Sequence, residues 1–331
     1  MPISSEDTPP NSDFFSTDTT VSDPEPTLVT EPTTGSPSSP YRLVRVDWAA
    51  ATDVGRLRQQ NEDDFYVCVQ SSGVQAKRFP IDRTDRGLFV VCDGMGGHAG
   101  GEIASAMAIE GIAERFHNFW TENLPTADEL IQIIHQVNQT IYWRNEKNAS
   151  QDYGRMGTTL VLMALHNTTV MIAHVGDSRI YRVIQEPKPT CELLTRDHEV
   201  GNRLIDQGIA PELAWSRPDA HQLTQAIGPN DQSRVEPGLQ ILQLDRDSLF
   251  LLCSDGLSDN GVIENYWKTH LLRLLSPAYD LQQAVEDVLA LGNEVNGHDN
   301  LTAILVRCLV EKSLGELETD PKDTNSIGTR G

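Results

Sequence analysis

The chain has 331 residues, a formal charge of -22 and a pI of about 4.7, which argues against nucleic acid or an anionic membrane as its main partner. No charge-free run approaches the ~18 apolar residues that a membrane span requires. The length is compatible with two domains or with one large α/β unit carrying tails.

Residues 1–40 hold Glu6, Asp7, Asp13, Asp18, Asp23, Glu25 and Glu31, no Lys or Arg, and much Ser, Thr and Pro. Such a stretch cannot bury enough apolar surface to offset its ordering entropy, so it reads as a disordered tail, and 311–331 reads alike. A folded core is expected over 41–310. It opens with strands at 43–50, 64–69 and 87–92, followed by a helix over 101–120, where Ile103, Met107, Ile109, Ile112, Ala113 and Phe116 form an apolar stripe. A second helix over 126–147 repeats Leu130, Ile133, Ile134, Val137 and Ile141 at helical spacing, and Thr126 with Glu129 reads as its capping box. Strands follow at 159–165, 170–175, 179–183 and 192–194, with turn chemistry at Asn167-Thr168 and Gly176-Asp177. A short helix at 197–208 and an irregular flap over 209–221 precede strands at 239–244 and 248–253. Helices at 263–275 and 281–292 and a last strand at 301–308 complete the core. Helices that come in pairs, instead of alternating with strands, favour an α+β fold of packed sheets over a doubly wound parallel sheet.

The five cysteines, Cys68, Cys92, Cys191, Cys253 and Cys308, are isolated and mostly inside apolar runs. They read as reduced core thiols of a cytoplasmic protein, and the N-terminus has no basic region followed by an apolar one that would mark export.

Four aspartates carry the chemistry: Asp63 in Asn61-Glu62-Asp63, Asp93 in Asp93-Gly94-Met95-Gly96-Gly97, Asp255 in Ser254-Asp255-Gly256-Leu257 and Asp299 in Gly297-His298-Asp299-Asn300. Three of them end or adjoin apolar runs, which sets their carboxylates at strand ends, where an unpaired charge costs several kcal/mol, roughly. Few Lys or Arg flank them and no Cys-x-x-Cys or His-x-x-x-His accompanies them, so the expected counter-charge is a hard cation with oxygen ligands, magnesium or manganese. Gly94 to Ala99 also matches G-x-G-x-x-A after a strand, but Asp93 would aim a carboxylate at a pyrophosphate and a second helix follows where a strand should be. The glycines make better sense as a tight turn that lets a carbonyl approach a cation.

In this order the motifs resemble the metal-dependent protein phosphatase family, the type 2C serine/threonine phosphatases, and more closely its bacterial branch. The resemblance rests on the run from Thr52 to Asp63 (TDVGRLRQQNED), Val91-Cys92-Asp93-Gly94-Met95-Gly96-Gly97-His98, Gly157-Thr158-Thr159, Val175-Gly176-Asp177-Ser178-Arg179, Leu194-Thr195-Arg196-Asp197-His198, Ser254-Asp255-Gly256-Leu257 and Asp299-Asn300-Leu301-Thr302. It implies a central sandwich of two antiparallel sheets flanked by helical pairs on both sides, with a metal centre at one end. It also implies hydrolysis of phosphoserine and phosphothreonine in proteins by a metal-bridging hydroxide without a phospho-enzyme, in a monomer paired with a cognate kinase. Residue by residue, Asp93 would bridge two Mn2+ or Mg2+ ions, the Gly94 carbonyl would bind one of them, Asp255 and Asp299 would hold the second, and Asp63 would act through water. Asp177 with Asp255 matches a third, weaker site.

Arg58 matches the arginine that grips the substrate phosphate; its bland reading is a solvated loop residue. His98 matches a bacterial histidine that could protonate the leaving alkoxide, against a histidine idle at a helix start. Gln225 departs from a frequent arginine, and residues 71–86 form a longer, locally basic insert that reads as a docking surface or a solvated hairpin. The alternative for the whole chain is a catalytically silent scaffold of this fold that binds phosphoproteins.

Overall fold

Antiparallel strands usually alternate apolar and polar residues because one face meets water. Here the runs Leu88 to Cys92 and Leu249 to Cys253 are apolar throughout and fully buried, because both faces of each sheet are covered. The computed structural model describes residues 40–71, 85–96, 100–119, 124–148 and 155–313. The strands are β1 (Tyr41–Asp53), β2 (Asp63–Ser71), β3 (Asp85–Met95), β4 (Gly157–Thr158), β5 (Leu160–His166), β6 (Thr169–Val175), β7 (Arg179–Ile184), β8 (Thr190–Leu193), β9 (Gly238–Gln243), β10 (Ser248–Cys253) and β11 (Leu301–Lys312). The helices are α1 (Gly100–Phe119), α2 (Ala127–Asn148), α3 (Val200–Asp206), α4 (Pro211–Trp215), α5 (Asp255–Ser258), α6 (Val262–His270) and α7 (Leu281–Val295).

One sheet has the order β1-β11-β10-β7-β8 and the other β2-β3-β5-β6-β9, with β4 paired to β3. All pairings are antiparallel, so the glycines after Asp93 do not belong to a parallel βαβ unit. Alternation sorts the side chains into layers. Phe89, Val91, Phe250, Leu252, Ile304 and Val306 point between the sheets. Leu88, Val90 and Cys92 meet α1 and α2 through Ile112, Phe116, Ile133 and Ile134, and Leu249, Leu251 and Cys253 meet α6 and α7 through Trp267, Val285 and Val288. The fold is α+β, an antiparallel sandwich between helical layers.

Local chemistry sets the element ends. Thr126 N and Oγ1 reach Glu129 Oε2 at 2.7 and 2.9 Å and Glu129 N returns to Thr126 Oγ1 at 3.3 Å, which closes the capping box of α2. The helix expected from 197 begins at Val200, because Asp197 is turned into an ion pair with Arg179 and its carbonyl accepts from Asn202 Nδ2 at 2.8 Å. The helix expected over 263–275 stops at His270 and continues as a 3-10 turn, Leu272–Leu275. Within the expected flap, Pro211 takes the first position of α4, where its missing N–H costs nothing. β11 runs to Lys312, where Ser313 N donates to Pro40 O at 2.8 Å. The tails proposed for 1–40 and 311–331 lie almost entirely outside the described residues. All five cysteines are free thiols, and among the described residues no helix is long and apolar enough to cross a membrane.

Candidate active site

The strand ends of both sheets come together at one end of the sandwich. Asp63 opens β2 and stands opposite Asp93 of β3 in register. Asp255 is the first residue of α5, directly beyond β10, and Asp299 lies in the turn before β11. Asp177 sits in the turn between β6 and β7. Arg58, Asp93, Gly94, Asp177, Asp255 and Asp299 line a single cleft of about 280 Å3, whose apolar walls are Met95 and Leu223. Asp63 is buried beside it and does not line it.

Side chains that lie within the quoted motifs, but to which the sequence assigned no role, fix this geometry. Ser254 Oγ donates to Asp63 Oδ2 at 2.7 Å and accepts from Thr302 N at 3.0 Å, tying β2 to the start of β11. Asp93 N donates to Thr159 Oγ1 at 2.9 Å, while its carbonyl accepts from Thr159 N and Thr158 Oγ1 at 2.8 and 2.9 Å. Asn300 is a clamp: its Nδ2 donates to Val54 O and Gln60 O, both at 2.9 Å, and its Oδ1 accepts from Glu62 N at 2.8 Å. Thus the loop that carries Arg58 is held to the turn that carries Asp299. Two glycines are required by close approach. A Cβ on Gly94 would lie 2.2 Å from the Gly101 carbonyl oxygen, and one on Gly256 would lie 2.0 Å from that of Asn300.

The electrostatics of the cleft are unfavourable as the protein stands. Burial, with the charges of Asp255, Asp63 and Asp177, pushes the Asp93 carboxyl well above the carboxylate range. Burial also raises Asp63, Asp177 and Asp255, and it raises Glu62 against the opposing charge of Arg58. One oxygen each of Asp63 and Asp255 is buried without a hydrogen-bond partner. Like charges and orphaned oxygens at this density are what a divalent cation would relieve, and an all-oxygen donor set suits magnesium or manganese. The residues therefore fit the metal ions expected from the sequence, although among the described residues no three acidic or histidine side chains are gathered as a ready set for one ion. Among the described residues lining the cleft the only cation is Arg58, whose Nη2 donates to Asp299 Oδ2 at 2.6 Å.

This arrangement has known counterparts. The model of the family described as protein phosphatase 2C matches residues 61–306. The chain belongs to the protein phosphatase 2C family. The serine/threonine phosphatase stp of Listeria monocytogenes serotype 4b (strain F2365) is 33% identical over 267 residues, 79% of this chain and 96% of that protein. The crystal structure of the Mycobacterium tuberculosis serine/threonine phosphatase PstP/Ppp superimposes with a TM-score of 0.58 at 27% identity, covering 79% of this chain and 97% of that one. The catalytic domain of PstP in complex with two manganese ions gives a TM-score of 0.59 at 25% identity over 81% of this chain and 99% of that one. The protein is thus a serine/threonine protein phosphatase of a metal-dependent family.

Residues outside the lining of the cleft have structural partners in the phosphatase. His98 lies outside the described residues, as does most of the 71–86 insert. His298 Nε2 faces Asp259 Oδ2 at 3.4 Å, and His174 stacks on His198 with ring centres 4.8 Å apart. Gln225 Oε1 accepts from Glu236 N at 2.6 Å and so ties the segment leading into β9. A buried network behind Asp177 was missed: Arg179 donates twice to Asp197 Oδ2, at 2.9 and 2.6 Å, and Tyr181 OH donates to Glu264 of α6 at 2.7 Å. The motif fragments around Arg179 and Asp197 marked its two ends, but nothing in the sequence said that they meet.

Proposed function

We propose that the phosphatase removes phosphate from phosphoserine and phosphothreonine in proteins by direct attack of water on phosphorus, with no phospho-enzyme, at a centre of two Mn2+ or Mg2+ ions and a third held more weakly. Asp93, the Gly94 carbonyl and, through water, Asp63 would hold one ion; Asp93, Asp255 and Asp299 the other; Asp177 with Asp255 the third. When bound, such ions acidify water and offset the charge of the phosphoryl oxygens.

The chain's own groups supply the rest. Arg58 presents parallel N–H donors to the phosphate oxygens, which a planar guanidinium does better than an ammonium. His98 would hand a proton to the serine or threonine oxygen as the P–O bond breaks. A covalent intermediate is disfavoured because the one thiol beside the centre, Cys92, is fully buried and burial pushes its pKa well up, while Ser254 is spent on Asp63. Five free cysteines agree with a cytoplasmic site of action. We further assign the substrates to phosphoproteins made by a cognate kinase, the active form to a monomer, and the catalytic domain to 41–310.

The observation that carries this reading is the convergence of Asp93, Asp177, Asp255, Asp299 and Arg58 on one cleft, with carboxyl groups that crowd each other. Its test is hydrolysis of a phosphothreonine peptide and of p-nitrophenyl phosphate with manganese, magnesium or chelator, in the native chain, Asp93→Ala and Asp255→Asn. Turnover that needs metal and disappears in both variants is expected. Turnover that persists in chelator, or in either variant, refutes the assignment.

A further inference from the structure

Both oxygens of Asp299 are engaged: Asn300 N donates to Oδ1 at 2.8 Å and Arg58 Nη2 to Oδ2 at 2.6 Å. The proposed function gives this carboxylate to a cation and this guanidinium to the substrate phosphate, so each is withheld from its task while they hold each other. The pair is built to open. The side chain of Arg58 is 48% exposed and that of Asp299 21%, so the guanidinium can swing away without disturbing the core. The backbones stay in place when it does, because Gly55, at a φ of +78° that favours glycine, brings its α-carbon so close to Asp299 that a Cβ would lie 2.0 Å from the Asp299 carbonyl oxygen. The Asn300 clamp holds the other end of the same loop at Gln60.

A divalent ion at Asp299 would compete for the carboxylate and repel the guanidinium. Once displaced, the guanidinium stands unpaired at the rim of a cleft whose acid has been neutralised, which is the charge arrangement a phosphate dianion needs.

We propose that the Arg58–Asp299 ion pair is a latch that couples metal loading to phosphate binding: it closes in the metal-free protein and opens as the Asp299 ion binds. The proposal rests on the metal reading above. Because coupling between two binding events is reciprocal, whatever holds Arg58 on Asp299 is subtracted from the affinity for the ion, and removing Arg58 must tighten metal binding.

The test is calorimetric titration of manganese chloride into the chelator-treated full chain, as the native protein, Arg58→Gln and Arg56→Gln. Arg56 is the control, exposed and of equal charge two residues away, but with its stem laid along Gly297, where a Cβ would be 3.3 Å from Arg56 Cδ. Arg58→Gln should tighten the dissociation constant by about two- to five-fold, the range for a half-exposed pair, and Arg56→Gln should leave it unchanged. Equal tightening in both variants reduces the effect to net charge and overturns the latch, as does no change in Arg58→Gln. Absence of manganese binding in the native chain overturns the metal reading and the latch with it; binding that ignores Arg58 overturns the latch alone. A second readout is the arginine Nε–H NMR signal that vanishes in Arg58→Gln. It should move in step with magnesium occupancy, and a signal that stays fixed throughout the titration overturns the latch.

Discussion

Asn300→Ala should damage the phosphatase in two separable ways. The side chain is 4% exposed and makes three hydrogen bonds, to Val54 O, Gln60 O and Glu62 N, at 2.8 to 2.9 Å. Truncation leaves two carbonyls and one N–H without their partner; at about 1 kcal/mol net for each bond, the loss is about 3 kcal/mol. For a domain of this size that corresponds to a fall in Tm of about 6–12 °C, at about 2–4 °C per kcal/mol. The second effect is on geometry. The three acceptors and donors flank Arg58 on both sides, so releasing them lets the guanidinium wander, and a misplacement of about 1 Å costs on the order of 10²-fold in rate. Asn300→Asp keeps the acceptor for Glu62 N but sets a carboxylate oxygen against two carbonyls, so it should be no better. The assays are thermal melting in chelator, which isolates the clamp from metal binding, and kcat/KM for p-nitrophenyl phosphate at saturating manganese and well below Tm. An Asn300→Ala protein that melts within about 2 °C of native and turns over within about three-fold of it would show that the clamp holds nothing.

Asp93→Asn should remove metal-dependent hydrolysis yet stabilise the metal-free fold. Burial and the neighbouring carboxylates raise Asp93, so stability of the metal-free fold falls as the pH climbs from the ordinary carboxylate value of 3.8 towards the raised one; removing the acid should therefore raise the melting temperature in chelator at pH 7.5, and melting in chelator against melting in excess manganese should show native protein gaining from metal while the variant does not. A variant less stable than native in chelator would contradict the repulsion. Gly256→Ala should fold poorly or not at all, because its Cβ would meet the Asn300 carbonyl oxygen, a backbone atom that cannot swing aside, at 2.0 Å; a soluble, active Gly256→Ala enzyme would mean that this turn is looser than described. His198 bears on acid stability. Burial depresses it to about 3, so it is neutral in the fold and an unfolded chain binds the extra proton below the ordinary value of 6.5. Its contribution is complete above pH 6.5 and declines as the pH falls, by about 2 kcal/mol at pH 5. Urea unfolding at pH 7 and pH 5 should therefore show a smaller loss in His198→Gln than in the native chain, and an equal loss would refute the assignment.

What could be read from the sequence follows from how locally each feature is encoded. Asp93 and Asp255 stood out because their strands are covered on both faces and read as unbroken apolar runs that end in an acid. The helical layer over one sheet was visible in the stripes of α1 and α2. By contrast, β4 is two residues long and α5 is four, too short for any period to register. The clamp and the latch join residues that are 238 to 246 and 241 positions apart in the chain, so an asparagine beside a metal-binding aspartate gave no sign of what it would hold. Ser254 likewise passed as the residue before Asp255, although its hydroxyl reaches Asp63 across 191 positions. Short-range order carried the scaffold, and the positioning of the reactive groups came from contacts that only the assembled sandwich creates.

The pairing of β1 with β11 runs from Tyr41 opposite Lys312 to Asp53 opposite Leu301. The carboxylates gather at the second end, and at the first Ser313 N meets Pro40 O. Twelve or so residues of extended chain put about 40 Å between them. A short linker from 313 to 40, with new termini opened in a solvent-facing turn, should therefore yield a circular permutant that keeps its catalytic end intact, and a reporter fused directly to residue 40 or residue 313 should leave turnover of small substrates unchanged.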